Sequence, residues 1–299
     1  MRIGISGWTY APWRGVFYPK GLAQRRELEF ASHAFNSIEI NGSFYSLQRP
    51  SSYRAWFEAT PPGFVFSVKG ARFITHMKKL RDVETPLANF FASGVLCLAE
   101  KLGPILWQFP PNFGWNPERF RSFFDLLPRD TAAAAKLSRR HDDKVKGHAW
   151  TTTDATRALR YCVEIRHPTF LVPEFFDLLR RHNIAFVFAD TAGKWPYSED
   201  LTADFAYCRL HGDEVLYVSG YSDSALEWWA NRIALWSEGK QPRDGKLVTK
   251  HQRRTKRDIY VYFDNDAKVH APFDAKRLAG RFGIQSLPFE HVVTGRGGK

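Results

Sequence analysis

Eight short runs of apolar, β-branched and aromatic residues recur along this chain, most of them separated by segments with helical periodicity. They are Arg2–Ser6, Ser37–Ile40, Val65–Lys69, Ile105–Phe109, Tyr161–Arg166, Ala185–Asp190, Ala206–His211 and Ile259–Asp264. Each has strand length, and several stop at Gly, Pro or Asp, where strands give way to turns. A β-sandwich needs hairpin turns about every ten residues, which this spacing does not provide. The pattern predicts an α/β fold, a closed parallel eight-stranded (β/α)8 TIM barrel.

The intervening segments agree. Leu22–Phe35 reads as a helix, and Thr85–Leu102 as a longer one with Pro86 near its first turn. Pro117–Leu127 follows Asn116, whose side chain suits a helix N-cap. Pro173–His182, Ala225–Glu238 (opened by Ser222-Asp223-Ser224) and Phe273–Phe282 complete the set. The link from Asp190 to Ala206 is too short and too broken by Pro and Gly for a full helix, so one β/α unit is expected to be degenerate. An open doubly wound sheet is the alternative, but no GxGxxG turn follows the first run to favour it. Residues 1–288 read as a single domain with basic insertions near 136–148 and 240–257, and 289–299 as a polar C-terminal tail.

Composition narrows the setting. Aromatics make up 15% of the chain, so large flat side chains must fill the core or a cleft. No stretch approaches the roughly 20 apolar residues that span a bilayer, and the first residues lack a leader's apolar core, so no membrane partner is expected. Cys97, Cys162 and Cys208 are odd in number and far apart, with no CxxC pair. A reducing cytoplasm without structural zinc is the expectation.

The register of polar residues is the strongest functional clue. Residues two apart in a strand share a face. Glu39 and Asn41 share one, as do Ser67 and Lys69, Glu164 and Arg166, and Arg209 and His211. Gln108, Asp190 and Asp264 end three further runs. All lie at C-terminal strand ends, where barrel active sites are assembled from several strands.

Several of these residues sit in longer motifs. Gly4-Ile5-Ser6-Gly7-Trp8-Thr9-Tyr10, Ile38-Glu39-Ile40-Asn41-Gly42-Ser43-Phe44-Tyr45, Phe64-Val65-Phe66-Ser67-Val68-Lys69 and Leu102-Gly103-Pro104-Ile105-Leu106-Trp107-Gln108-Phe109-Pro110-Pro111 are four. Glu164-Ile165-Arg166-His167-Pro168, Tyr207-Cys208-Arg209-Leu210-His211-Gly212 and Tyr260-Val261-Tyr262-Phe263-Asp264-Asn265-Asp266 follow. Together they resemble the YecE-like family, also called domain of unknown function 72, over about residues 1–285. The resemblance implies a TIM-barrel fold and supplies no substrate or catalytic list. The stretches 136–156 and 240–257 depart from the commoner family pattern.

Chemically, Glu39, Glu164, Asp190 and His211 are the candidate catalytic groups, because carboxylates in different local fields divide into acid and base and histidine titrates near neutrality. Asn41, Tyr45, Lys69, Gln108, Arg166, Arg209, Tyr221 and Asp264 are the candidate substrate-binding residues; the arginines can clamp phosphate or carboxylate, and the tyrosines can stack a ring. The competing account is a buried ion-pair network that only fixes the barrel interior, although stability alone is served as well by apolar packing. Gln108 can simply satisfy backbone groups, Asp264-Asn265-Asp266 can be a turn, and His76 and His167 can be loop residues. No metal ligand is assigned. A divalent metal stays open as a cofactor because the carboxylates and His211 are suitable donors, but no HExxH motif supports it and Lys69, Arg166 and Arg209 oppose a cation.

The formal net charge is +12, and its location matters. Lys240–Arg257 carries an excess of +7 and Lys136–His148 a further +3. Both precede strands, so both are expected at the far face of the barrel, away from the strand-end pocket. The expectation is an enzyme, with hydrolases among the candidates, acting by acid–base chemistry on a small anionic or sugar- or nucleotide-like molecule. The alternatives are a metal-dependent phosphoesterase or nuclease, and a non-catalytic module gripping nucleic acid through its basic loops, Lys250, Arg253, Arg254, Lys256 and Arg257 among them. Oligomeric state is open.

Overall fold

The computed structural model describes residues 1–250 and 255–290. Arg253, Arg254 and the tail from residue 291 lie outside the described residues. Eight parallel strands close into a barrel in sequential order: β1 (Arg2–Ser6), β2 (Ser37–Ile40), β3 (Val65–Lys69), β4 (Leu102–Gln108), β5 (Tyr161–Glu164), β6 (Ile184–Asp190), β7 (Phe205–Leu210) and β8 (Asp258–Phe263). Closure is made by β8 against β1, with Arg2 opposite Tyr260 and Ile5 opposite Phe263. The strands are buried on both faces, which is why they read as near-continuous apolar runs.

Helices cover the outside. They are α1 (Glu27–Ala34), α2 (Gly42–Tyr45), α3 (Pro50–Glu58), α4 (Glu84–Ala92), α5 (Pro117–Leu126), α6 (Thr131–Ser138), α7 (Pro173–Arg181), α8 (Asp223–Ser237) and α9 (His270–Arg281). Asn116 caps α5 by accepting the Arg119 N–H at 3.0 Å, and Ser222 caps α8 by accepting that of Ala225 at 3.1 Å.

The long helix expected over Thr85–Leu102 instead ends at Ala92. Gly94 turns the chain at φ 112°, and a Cβ there would stand 2.5 Å from the Pro50 Cα, so only glycine fits both the angle and the contact. A 3-10 segment, Val95–Lys101, then leads into β4. Helices α2, α3 and α6 were not expected; α6 is capped by Asp130, which accepts the Ala133 N–H at 2.7 Å.

The degenerate unit lies between β6 and β7, where the described residues form no helix. The connection after α8 packs there instead. The Glu199 N–H donates to the Lys246 carbonyl at 2.7 Å, and the fully buried Asp200 accepts the N–H groups of Val248 at 2.7 Å and Thr249 at 3.0 Å. At the C-terminal side, Phe289 packs edge-on against Phe30 at 5.0 Å. Among the described residues no helix is long and apolar enough to cross a membrane.

Inside the barrel, small side chains face large ones. The Ser37 and Ser67 hydroxyls each meet a tyrosine, Tyr262 and Tyr207, at 2.6 Å. Leu106, Cys162 and Val187 fill the space around them, leaving no room for a channel.

Candidate active site at the strand C-terminal ends

Above that packed layer the inward positions turn polar. Ser6, Glu39, Lys69, Gln108, Glu164, Arg209 and Asp264 end seven strands, while β6 contributes Ala189. Arg209 is the hub and is fully buried. Its Nη2 donates to Glu39 Oε1 at 2.9 Å and to Asp264 Oδ2 at 2.8 Å, its Nη1 to Glu164 Oε2 at 2.7 Å, and its Nε to Glu39 Oε2 at 3.2 Å. Glu39 also accepts from the Ser6 and Tyr207 hydroxyls, so both its oxygens are saturated. Glu164 Oε1 accepts from Gln108 at 2.6 Å and from Arg166 Nε at 3.2 Å. Asn41 donates to the Ser6 hydroxyl at 2.8 Å.

The electrostatics follow from this arrangement. Burial alone would raise the Glu164 carboxyl, but Arg209 and Arg166, helped by His211 and Lys69, hold it well below the usual carboxylate range. Asp264 is likewise held low against its own burial, chiefly by Arg209. Its neighbour Asp266 moves the other way, to about 9, because it is buried beside the Asp264 charge. His211 is fully buried, with Nδ1 3.1 Å from Asp264 Oδ2 and Nε2 3.4 Å from Arg209 Nη1.

Lys69 differs from the rest. Its side chain is 7% exposed, and among the described residues Nζ makes no hydrogen bond or ion pair, although Nζ itself is not sealed from solvent. Nζ stands over the Phe44 ring, 4.3 Å from its centroid. Burial, with Arg209 nearby, pulls the amine down to about 8 despite Glu164 and Glu39. Burial and the charges of Lys69 and Arg166 likewise push His76 down to about 4, so it is neutral at pH 7. Arg166 covers the network from above, donating to the Tyr217 hydroxyl at 3.2 Å.

The structure thus brings together Glu39, Asn41, Lys69, Gln108, Glu164, Arg166, Arg209, His211 and Asp264. It separates Asp190 and Tyr221 from them. Ala189, not Asp190, points into the barrel, and Asp190 faces outward, accepting from the Tyr221 hydroxyl at 2.9 Å and Trp229 Nε1 at 3.2 Å. Tyr45 is 65% exposed and stands at the outer rim behind Phe44. His167 is a turn residue, its Nδ1 accepting the Thr169 N–H.

Ser6, Tyr207, His76, Tyr217 and Asp266 belong to the site without having been expected there. Ser6 and Tyr207 share the two-residue phase of their neighbours and were legible in principle. Tyr217 had no signal, because a left-handed backbone at φ 65° folds its loop back so that its N–H meets the His211 carbonyl.

The first basic segment does not stay at the far face, and the second does so only in part, Lys256 and Arg257 remaining beside Arg180, Arg181 and Asn183 there. The β4–β5 connection holds an extra helix, α6, that packs along α4 and carries the chain back towards the mouth. Arg140 there pairs with Glu84, Asp142 accepts from Asn89 at 2.9 Å, and Lys144 lies 4.4 Å over the Phe73 ring, in the loop that follows β3. In the second segment Lys246 shares a cavity wall with Asp190, while Arg257 is a buried anchor donating to the Ala203 carbonyl at 2.9 Å.

No group of three His, Cys, Asp or Glu side chains is arranged to hold a metal ion among the described residues. The cation that Glu39, Glu164 and Asp264 surround is the Arg209 guanidinium.

A family model described as "Protein of unknown function DUF72" matches residues 2–294. The UPF0759 protein YunF of Bacillus subtilis is 30% identical over 121 residues, 39% of this chain and 42% of its own length. The UPF0759 protein YecE of Escherichia coli K12 is 27% identical over 168 residues, 56% of this chain and 49% of its own length. The chain thus spans less than half the length of the curated relatives it matches. Among solved structures, a DUF72 protein of Thermotoga maritima superposes with TM-score 0.69 at 24% identity, covering 94% of this chain and 98% of that one. One from Enterococcus faecalis gives TM-score 0.69 at 14% identity, covering 97% and 99%. These two likenesses concern the fold. With the family match running nearly from end to end, this chain belongs to the DUF72 family.

Proposed function

We propose that the barrel mouth is the active site of an enzyme that takes a small anionic substrate between Lys69 and Arg166 and moves protons with groups of the same mouth. The observation that carries this reading is the largely desolvated Lys69 ammonium, open to solvent at Nζ and without a hydrogen bond or ion pair among the described residues. A partly desolvated charge without a protein partner is costly, and an anion entering from solvent would supply one. An incoming phosphate or carboxylate would meet Lys69 Nζ directly and Arg166 from above.

The division of labour follows exposure. Arg209, Glu39, Gln108 and Glu164 sit behind the mouth bonded to one another, and we assign them as positioning residues that fix Arg166 and Asp264. Lys69 is the proton-handling candidate, because an amine near 8 exchanges its proton close to neutral pH; Asp264, held ionised by Arg209, is a weak base and serves to orient His211. Asn41 and Tyr217 orient what binds. A divalent-metal phosphoesterase is the weaker reading, since a metal would have to displace Arg209. The three free, buried cysteines suit a reducing cytoplasm.

Calorimetric titration with inorganic phosphate, pyrophosphate and simple dicarboxylates at low ionic strength tests the reading. Binding of at least one anion by the wild type, weakened at least tenfold by Lys69→Met and by Arg166→Met, is the expected result. Binding that is absent in the wild type, or unchanged in both variants, removes it.

A further inference from the structure

Beside the mouth, a cavity of about 520 Å³ lies between the helix-free link after β6 and the start of α8. Its size falls within the roughly 300–1,000 Å³ range of small-ligand sites. Asp190 forms the floor. Its Oδ2 is taken by Tyr221 and Trp229, but its Oδ1 meets only the Ala192 N–H, at 3.4 Å. Trp195, Tyr197, Trp228 and Trp229 supply aromatic walls, and Asp213 and Ser222 stand at the rim.

Two donors in these walls have no partner. Trp195 Nε1 and the Tyr197 hydroxyl are both shielded from solvent without a hydrogen bond among the described residues. Being shielded even from a water-sized contact, neither reaches an occupant of the cavity, which meets the aromatic faces and the largely free Asp190 Oδ1 instead. The wall is also continuous with the mouth, because the Arg166 guanidinium lies 5.4 Å from the Trp195 ring centre.

We propose that this cavity is a sugar subsite, holding the neutral hydroxylated ring of the substrate whose anionic group meets Lys69 and Arg166. A pyranose lays its C–H faces on aromatic rings, and its hydroxyls both accept and donate. They would donate to Asp190 Oδ1 and Asp213 and exchange hydrogen bonds with the Ser222 hydroxyl. The polar groups stand at floor and rim, which suits hydroxyls that leave a puckered ring in several directions; a planar base presents its groups along one edge. The ring assignment stands on the cavity alone, and only the link to an anionic group rests on the mouth reading.

Saturation-transfer NMR with methyl α-glucoside, methyl α-mannoside, adenosine and glucose 6-phosphate separates the two. The wild type should saturate ring protons of at least one neutral glycoside and bind glucose 6-phosphate at least tenfold more tightly. Trp228→Ala, at a side chain 40% exposed, should weaken both at least fivefold, and Asp213→Ala, which deletes an acceptor at the rim, should weaken both two- to fivefold. Lys69→Met should bring the sugar phosphate down to the level of the neutral glycoside without changing the latter. No glycoside signal in the wild type, signals unmoved by both cavity variants, or adenosine binding ahead of every glycoside overturns the sugar subsite. Glycoside binding with no gain from the phosphate supports the subsite and removes the mouth reading.

Discussion

Glu39 and Arg209 meet fork to fork at the centre of the barrel, Oε1 with Nη2 at 2.9 Å and Oε2 with Nε at 3.2 Å, and neither side chain has measurable exposure. The pair joins strands β2 and β7 across the interior and is completed by Glu164 and Asp264, so its members depend on one another. Replacing Arg209 by Leu removes the shared partner of three carboxylates, Glu39, Glu164 and Asp264, of which only Glu164 keeps another cation, Arg166. Urea unfolding at pH 7 should show a loss of about 3–5 kcal/mol, the usual cost of breaking a buried pair from one side.

Lys69 should behave in the opposite way. Its folded value near 8 lies below an unfolded value of about 10.4, so burial of the charged amine destabilises the fold at pH 7. Between pH 8 and 10 the unfolded chain holds the proton that the folded chain has released, and stability rises across that window. Lys69→Met should therefore stabilise the protein at pH 7 by about 2–3 kcal/mol, with the gain fading towards pH 10, as checked by denaturant titrations over that range. A loss of stability on this substitution would mark Lys69 as structural.

Acid should open the network through Glu164. Its carboxyl is depressed in the folded state, so its contribution is present above the ordinary carboxylate value and lost as the pH falls through the folded one. Stability of the wild type should decline below about pH 4, and Glu164→Gln should flatten that decline while lowering stability at pH 7. Unfolding curves at pH 7, 4 and 3 measure both effects.

These contrasts show what the sequence made legible. Alternation in Ser37–Ile40, Val65–Lys69 and Tyr161–Arg166 displays the inner face, because polar residues there recur at every second position. Ile184–Ala189 is apolar on both faces, as buried parallel strands are, so nothing in that run revealed that Asp190 belongs to the outer face. The course of the basic segments was hidden for another reason. It depends on α6 and on the contacts of Asp200, neither of which leaves a periodic trace.

Asp200 should control the second basic segment. It binds the backbone of Val248 and Thr249 and pairs with Arg180 at 3.3 Å. Asp200→Ala should release residues 240–250 from the link after β6, speeding tryptic cleavage at Lys246 and Lys250 at least tenfold while the barrel persists by circular dichroism. Unchanged cleavage would mean that other contacts hold the segment.

Lys69, largely desolvated and without a partner among the described residues, is the group on which the proposed anion site stands. NMR titration of the labelled lysine side chain, with and without inorganic phosphate or the best anion from calorimetry, tests it most directly. Lys69 should titrate near 8 in the free protein and move upward when the anion is bound, because the bound charge favours the ammonium. A value near 10.4 in the free protein, or one that no bound anion shifts, would contradict the account.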